Sequence, residues 1–221
     1  MTNDLNIYAV VAPSGTGKTT LNNKLCETES DHIELSVSYT TRKKRPYEVD
    51  GDHYHFVEEA KFLSLVENNQ MLEWAKVHDN YYGTPLQEIE RIAQLGKKAL
   101  LEIDIQGWLS THKILPHAVS IFILPPSIQA MWKRLENRGT DDLSTRLRRL
   151  KSAKAEFEKA HYCNHFIIND HLEEAYENLR KVIIGGSNPP LDRKDALNHI
   201  ESLLKDLNAG EWSLDSLERQ S

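Results

Sequence analysis

The chain has 221 residues, 27 Lys and Arg against 33 Asp and Glu, a formal charge of −6 and a hydrophobic content of 39%. These values fit one soluble globular unit with short appendages and exclude collagen-like, disulfide-scaffold and largely disordered chains. An acidic balance also argues against a bulk grip on nucleic acid or an anionic membrane, while leaving room for local basic sites that hold a small anion. In chain order, Ile7–Ala12 is a nearly continuous apolar run, followed by a helical pattern over Lys18–Glu27. Leu35–Tyr39 and Tyr54–Val57 read as β-like runs, Glu58–Glu67 as a helix and Leu72–Val77 as a further short strand. Ala99–Ile105, Val119–Leu124 and His165–Ile168 are β-rich again, with helical patterns at Ile128–Asn137, Thr145–Ala160 and Leu172–Ile184. Strands buried on both faces of a parallel sheet read as such apolar runs, so the alternation predicts an α/β fold with helices flanking the sheet. Glu34–Tyr82 breaks the alternation and reads as an inserted α+β subdomain.

Gly185 to Pro190 is a linker signal, after which Leu197, Ile200, Leu203, Leu204 and Leu207 fall on one helix face ahead of a polar tail carrying Trp212. Cys26 and Cys163 lack a metal-like or CxxC spacing and read as reduced packing residues. No basic leader and no apolar stretch of ~20 residues is evident, so the expectation is a cytoplasmic protein without a membrane partner. Trp74, Trp108 and Trp132 sit in apolar patterns and are expected to pack, whereas Trp212 is a candidate exposed contact or anchor for a homo-oligomer. His53 and His55 have no partners that complete a metal spacing and are read as structural or surface residues.

The strongest local signal is the segment Ala12, Pro13, Ser14, Gly15, Thr16, Gly17, Lys18, Thr19, Thr20, lying between a strand and a helix. Gly15 and Gly17 let backbone N–H groups converge on phosphate oxygens, and the helix N-terminus adds its positive dipole end. Lys18 supplies a point charge for the terminal phosphates, and the Thr19 hydroxyl is a ligand for Mg²⁺. Ala12 stands where the motif usually has Gly. A nucleoside triphosphate site is the reading, with the identity of the phosphoryl acceptor left open by the loop itself.

Downstream, Arg42 and Arg45 place two guanidinium forks in one short segment, suited to a phosphate monoester, and the hydroxyls of Tyr54 and Tyr82 can join them. At this point the sequence resembles the guanylate kinases from about Ile7 to Val182. The pieces that carry the likeness are APSGTGKTT (12–20), SVSYTTRKKRPYEVDGDHYHF (36–56), LEWAKVHDNYYGT (72–84), LEIDIQG (101–107), FILPPS (122–127), KRLENRGT (133–140) and IIND (167–170). The resemblance implies a P-loop NTPase-type fold with a GMP-binding insert and an arginine-bearing lid, and transfer of the ATP γ-phosphoryl group to GMP with Mg²⁺. It implies that Ser38, Arg42, Arg45, Tyr54 and Tyr82 hold the GMP phosphate, with Glu48 in the same segment, and that Glu73, Thr84 and Asp104 read the guanine. Tyr47 replaces a usual Gly, and Glu102 replaces a usual Asp and is carried as a candidate metal or substrate-organising carboxylate.

In Lys133–Leu150, Arg134 and Arg138 are spaced i, i+4, followed by a polar loop and then Arg146, Arg148 and Arg149. Phosphoryl transfer concentrates negative charge between donor and acceptor, so arginines on a closing segment suit it. The resemblance gives that role to Arg134, Arg138 and Arg149; Arg146 and Arg148 are read as solvent-facing or paired with Asp141 or Asp142. It places Asn169 near the adenine base, while a strand-to-helix cap, with Asp170 sharing that role, is the plain alternative. The organisation expected is a kinase domain over 1–186, with core 5–35, 98–133 and 156–186, insert about 36–97 and lid about 134–155, and a C-terminal linker, helix and tail over 187–221. Two other classes compete. A non-catalytic kinase-like binding domain is disfavoured by the retained Lys18, Thr19, Arg138 and Arg149. A sugar-phosphate kinase sharing the P-loop is disfavoured by Glu73, Tyr82, Thr84 and Asp104, which have no purpose without a guanine edge.

Overall fold

The computed structural model describes residues 6–77, 79–137, 142–209 and 212. In chain order the strands are β1 (Ile7–Val11), β2 (Ile33–Leu35), β3 (Tyr39–Thr40), β4 (His55–Phe56), β5 (Met71–Val77), β6 (Asn80–Pro85), β7 (Lys98–Ile103), β8 (Val119–Leu124) and β9 (His165–Ile168). The helices are α1 (Lys18–Thr28), α2 (Glu59–Glu67), α3 (Leu86–Gln94), α4 (Ile105–Ile114), α5 (Ile128–Glu136), α6 (Leu143–Lys159), α7 (Leu172–Ile183) and α8 (Arg193–Asn208), with a 3-10 turn at Ala160–Tyr162. Five strands form a parallel sheet in the order β2-β7-β1-β8-β9, with Leu35 opposite Leu100 and Leu124 opposite Ile168. The apolar runs are buried as expected for a covered parallel sheet: Val10, Val11, Leu100, Leu101 and Ile121 to Leu124 are solvent-inaccessible.

The chain divides into two compact units. One comprises residues 1–9 and 29–118, the other 10–28 and 119–221. Within the first, a second sheet is ordered β4-β3-β6-β5, with β5 and β6 antiparallel and Glu73 directly opposite Thr84. In the second, α1 packs on α7, and α8 packs on α6 and β9. The C-terminal helix therefore belongs to the folded body, its Ile200 and Leu203 buried and its start capped by Asp192, which accepts from Asp195 N at 2.9 Å.

Several expectations change. The run Leu35–Tyr39 is not one strand: its first residue ends β2 in the parallel sheet and its last begins β3 in the other sheet. β6 and α3 were hidden because Gly83 and Pro85 interrupt the apolar pattern there. α4 was hidden behind β7; its start is set by the Asp104 side chain, which accepts from Gly107 N at 2.7 Å. The N-cap of α7 is His171, without a side-chain hydrogen bond, so Asp170 is not its cap. Trp108 and Trp132 are buried, but Trp74 is 45% exposed. Trp212 packs within the chain, its ring 5.7 Å from that of Trp132. Arg146 is not solvent-facing: it stacks 4.9 Å from the same Trp132 ring and pairs with Glu136 at 2.7 Å, one turn before the lid loop, rather than with Asp142. Asp141 lies outside the described residues. Among the described residues neither Cys26 nor Cys163 forms a disulfide.

Candidate active site

The phosphate loop is built as the sequence requires. Gly15 and Gly17 adopt φ of +90° and +92°, the left-handed region that side chains avoid. Thr16 is fully buried and its hydroxyl donates to Pro13 O at 2.9 Å, bracing the turn from inside. Lys18 and Thr19 open α1, and Ala12 sits buried at the strand end without disturbing the loop.

Two residues of the second unit are tied directly to this loop. Asn169 is buried, and its Nδ2 donates to Thr16 O at 2.7 Å. A Cβ on Gly17 would come within 2.3 Å of that nitrogen, so the glycine creates the space that Asn169 fills. Arg134 donates from Nη1 to Thr16 O at 3.2 Å and from Nη2 to Asn169 O at 2.8 Å. Burial pushes its guanidinium pKa down, opposed by Asp170. Gly15, Gly17, Thr20, Arg134, Asn169, Asp170 and Leu172 line a cavity of about 300 Å³. The expected lid arginine Arg134 is thus anchored on the Thr16 and Asn169 carbonyls, against the loop. Arg149, on α6, reaches the opposite part: its Nη1 donates to Ser14 Oγ at 3.2 Å. Arg138 lies outside the described residues.

The residues expected to meet the acceptor gather in the first unit. A cleft of about 280 Å³ is lined by Ser38, Tyr54, Glu73, Tyr82, Glu102 and Asp104, and also by Trp74, Ile103, Gln106 and Gly107. Thr84, fully buried, donates from Oγ1 to Glu73 Oε1 at 2.8 Å and lies 3.1 Å from Ser38 Oγ. Because the Thr84 proton points to Glu73, the Ser38 hydroxyl is the donor of that second bond, and the three residues form a directed chain ending on a carboxylate. Burial pushes the Glu73 carboxyl above its ordinary value; Thr84 opposes the shift and the nearby Asp104 charge adds to it. Gly107 lies beside both acids: a Cβ there would sit 3.4 Å from Glu73 Oε2 and from Asp104 Oδ1. Asp104 therefore doubles as helix cap and cleft wall.

Arg42 is held beside the cleft by a two-point fork on Glu48, at 2.9 and 2.7 Å, and lies 5.7 Å from the Tyr54 ring centre. Tyr54 and Tyr82 meet edge to face at 5.8 Å. Glu48 is buried and also accepts from Arg45 N at 2.7 Å, so it organises the arginine turn. The Arg42 fork, with the Arg45 amide assisting, holds its carboxyl down at about 2. Arg45 donates to the Tyr47 hydroxyl at 3.0 Å, and Tyr47 itself is exposed; the residue replacing Gly extends outward and leaves the turn intact. Sequence reasoning did not find Trp74 at the cleft or Glu88, a buried carboxylate that accepts from Val37 N; only the acidic residue in the first turn of an amphipathic α3 signalled the latter.

A glycine phosphate loop opening a helix, with an arginine-bearing following helix and a separate polar cleft, defines a P-loop phosphotransferase. The guanylate kinase family is matched over residues 5–185. Guanylate kinases of Dechloromonas aromatica and Oleidesulfovibrio alaskensis are 45% identical over 80% of this chain and 88% of theirs, and 41% identical over 90% and 95%, respectively. The crystal structure of guanylate kinase from Anaplasma phagocytophilum superimposes with a TM-score of 0.63, at 32% identity over 84% of this chain and 88% of that one. The chain belongs to the guanylate kinase family.

Proposed function

We propose that the chain is an ATP:GMP phosphotransferase that moves the γ-phosphoryl group of ATP to GMP, forming ADP and GDP in purine nucleotide metabolism. The observation that carries the reading is the Ser38, Thr84, Glu73 chain with Asp104 in one cleft. Guanine offers N1–H and the N2 amine as donors, which two carboxylates accept; adenine would set its N1 lone pair against a buried acid. Discrimination by unpaired buried polar groups reaches ~10⁴-fold. In this arrangement the Thr84 hydroxyl orients Glu73, and Glu73 and Asp104 touch the base. Ser38, Arg42, Arg45, Tyr54 and Tyr82 hold the acceptor phosphate, and Glu48 fixes the aim of Arg42.

On the donor side the loop amides, the α1 N-terminus and Lys18 take the phosphates, with Arg149 adding a guanidinium beside Ser14. Arg134 presents a flat guanidinium, pinned by two carbonyls, to the adenine, and Asn169 holds the loop against that pocket. Arg138 is assigned to the transferring phosphoryl group by its place in the lid segment. Catalysis of this transfer is positioning and charge stabilisation, which these groups supply. The Thr19 hydroxyl and the Glu102 carboxylate are hard oxygen donors, and no cluster of three or more His, Cys, Asp or Glu occurs among the described residues. That sparse donor set fits Mg²⁺, which is held mainly by phosphates and water. When bound, the ion neutralises charge on the nucleotide phosphate oxygens.

Positive charge gathers in two islands, Arg42–Arg45 and Lys133–Lys154, on an otherwise acidic chain, which suits small nucleotides in the cytoplasm rather than a polymer or a lipid surface. Among the described residues no helix is long and apolar enough to cross a membrane. A coupled ADP-release assay tests the reading: rapid turnover with GMP and little with AMP, CMP or UMP is expected, and equal rates overturn it. Lys18→Ala should abolish transfer while calorimetric GMP affinity stays near wild type.

A further inference from the structure

The chain leaves one sheet and enters the other within three residues. Ser36 N donates to Leu100 O of β7 at 2.8 Å, the last bond to the parallel sheet. Ser38 O accepts from His55 N at 2.9 Å, the first bond to the second sheet. Between them Val37 N finds no strand partner and donates instead to Glu88 Oε1 at 3.1 Å. Glu88, on α3, is 5% exposed. It is forked by Arg91, whose Nε donates to Oε2 at 3.0 Å and whose Nη2 donates to Oε1 at 2.9 Å. Arg91 Nη2 also meets Glu34 Oε1 at 2.5 Å, and Lys97 Nζ holds Glu34 Oε2 at 3.1 Å. Glu34 belongs to β2. α3 thus grips both sides of the junction, β2 through Arg91 in its last turn and the crossover backbone through Glu88 in its first.

We propose that Glu88 is a positioning residue for the acceptor nucleotide, fixing the Val37 backbone so that Ser38 presents its hydroxyl at the acceptor phosphate, with Arg91 holding Glu88 in place. The Val37 N–H is partly buried and needs a partner, and at this sheet-to-sheet crossing the partner is a side chain, so its loss frees the crossover without removing any group that touches substrate. The Ser38 hydroxyl sits one residue further on, bonded to Thr84 in the cleft. A displacement of the junction is therefore passed directly to the Ser38, Thr84, Glu73 chain. The network carries two acids and two bases, so the grip depends on geometry and not on a net charge. This inference rests on the acceptor reading given above.

The test uses the full chain and steady-state kinetics in both substrates. Glu88→Ala should raise KM for GMP by about tenfold or more, as displaced positioning groups do, while KM for ATP changes less than twofold. Ser38→Ala supplies the second arm: if Glu88 acts through Ser38, the added cost of Glu88→Ala in that background falls to less than half of its cost alone. Should Glu88→Ala fail to fold, Glu88→Gln and Arg91→Lys serve, since each leaves an acceptor for Val37 N and breaks the fork; an increase in KM for GMP of at least threefold is expected. A folded variant with an unchanged KM for GMP, or with additive losses in the double variant, overturns the proposal. Failure of the acceptor reading itself is separate, because the wild-type chain would then show no preference for GMP.

Discussion

Replacing Thr84 by Val removes one hydroxyl from a fully buried position and keeps nearly the same volume. The lost bond, 2.8 Å from Thr84 Oγ1 to Glu73 Oε1, is charge-assisted and of a kind contributing about 1.5–3 kcal/mol. That bond favours the ionised carboxyl, opposing the burial that already pushes Glu73 upward. Its removal therefore pushes the Glu73 pKa further up. GMP binding needs the carboxylate as an acceptor, so the acid limb of kcat/KM for GMP, which reports the free enzyme, moves to higher pH. The acceptor phosphate titrates equally in both proteins, and the difference between their profiles isolates the enzyme group. Thr84→Ser restores the hydroxyl and should return the limb to its wild-type position. An unmoved limb in folded Thr84→Val, whatever the loss in rate, refutes the argument that Thr84 works by tuning and aiming Glu73.

Glu48 has a folded pKa of about 2 against an ordinary 4.5, so its stabilisation is complete above about 4.5 and is lost as pH falls toward 2. Urea midpoints of wild type and Glu48→Gln should differ most at neutral pH and converge as pH drops below about 4.5; a constant gap would contradict the Arg42 fork. Gly17→Ala meets two obstacles, a φ of +92° that costs about 1–2 kcal/mol for a side chain and the contact with Asn169. KM for ATP should rise at least tenfold with GMP affinity by calorimetry unchanged, and a normal KM for ATP would refute the loop packing. Cys163 is buried, and burial pushes its thiol up to about 12, so Ellman's reagent should label Cys26 alone in the native chain and reach Cys163 only on unfolding. Equal labelling rates would count against the packing around β9.

Much of the donor site was legible because its parts are contiguous. A strand, Gly15, Gly17, Lys18 and the start of α1 follow one another, and local geometry makes the loop from them. The strands Val119–Leu124 and His165–Ile168 were legible for a similar reason, since burial on both faces leaves only apolar residues. Tyr81 to Pro85 was opaque: a strand with Gly83 has no clear period, and the reason for that glycine lies in β5, where a Cβ would come within 2.5 Å of Glu73 O. Trp74 misled for the opposite reason, an apolar residue in an apolar run whose ring the fold leaves 45% exposed.

By itself the sequence determined a P-loop α/β kinase and the residue types proposed to meet each substrate, because those depend on short-range order and side-chain chemistry. The tertiary structure decided what each group does with its neighbours. It made Asp104 a helix cap as well as a cleft wall, turned Arg134 onto the Thr16 and Asn169 carbonyls, and set Glu48 to aiming Arg42. It also brought Glu88 to the backbone N–H of Val37, 51 residues earlier in the chain. Hydrogen-bond partners distant in the chain are chosen by sheet register and helix docking, and no local pattern encodes them.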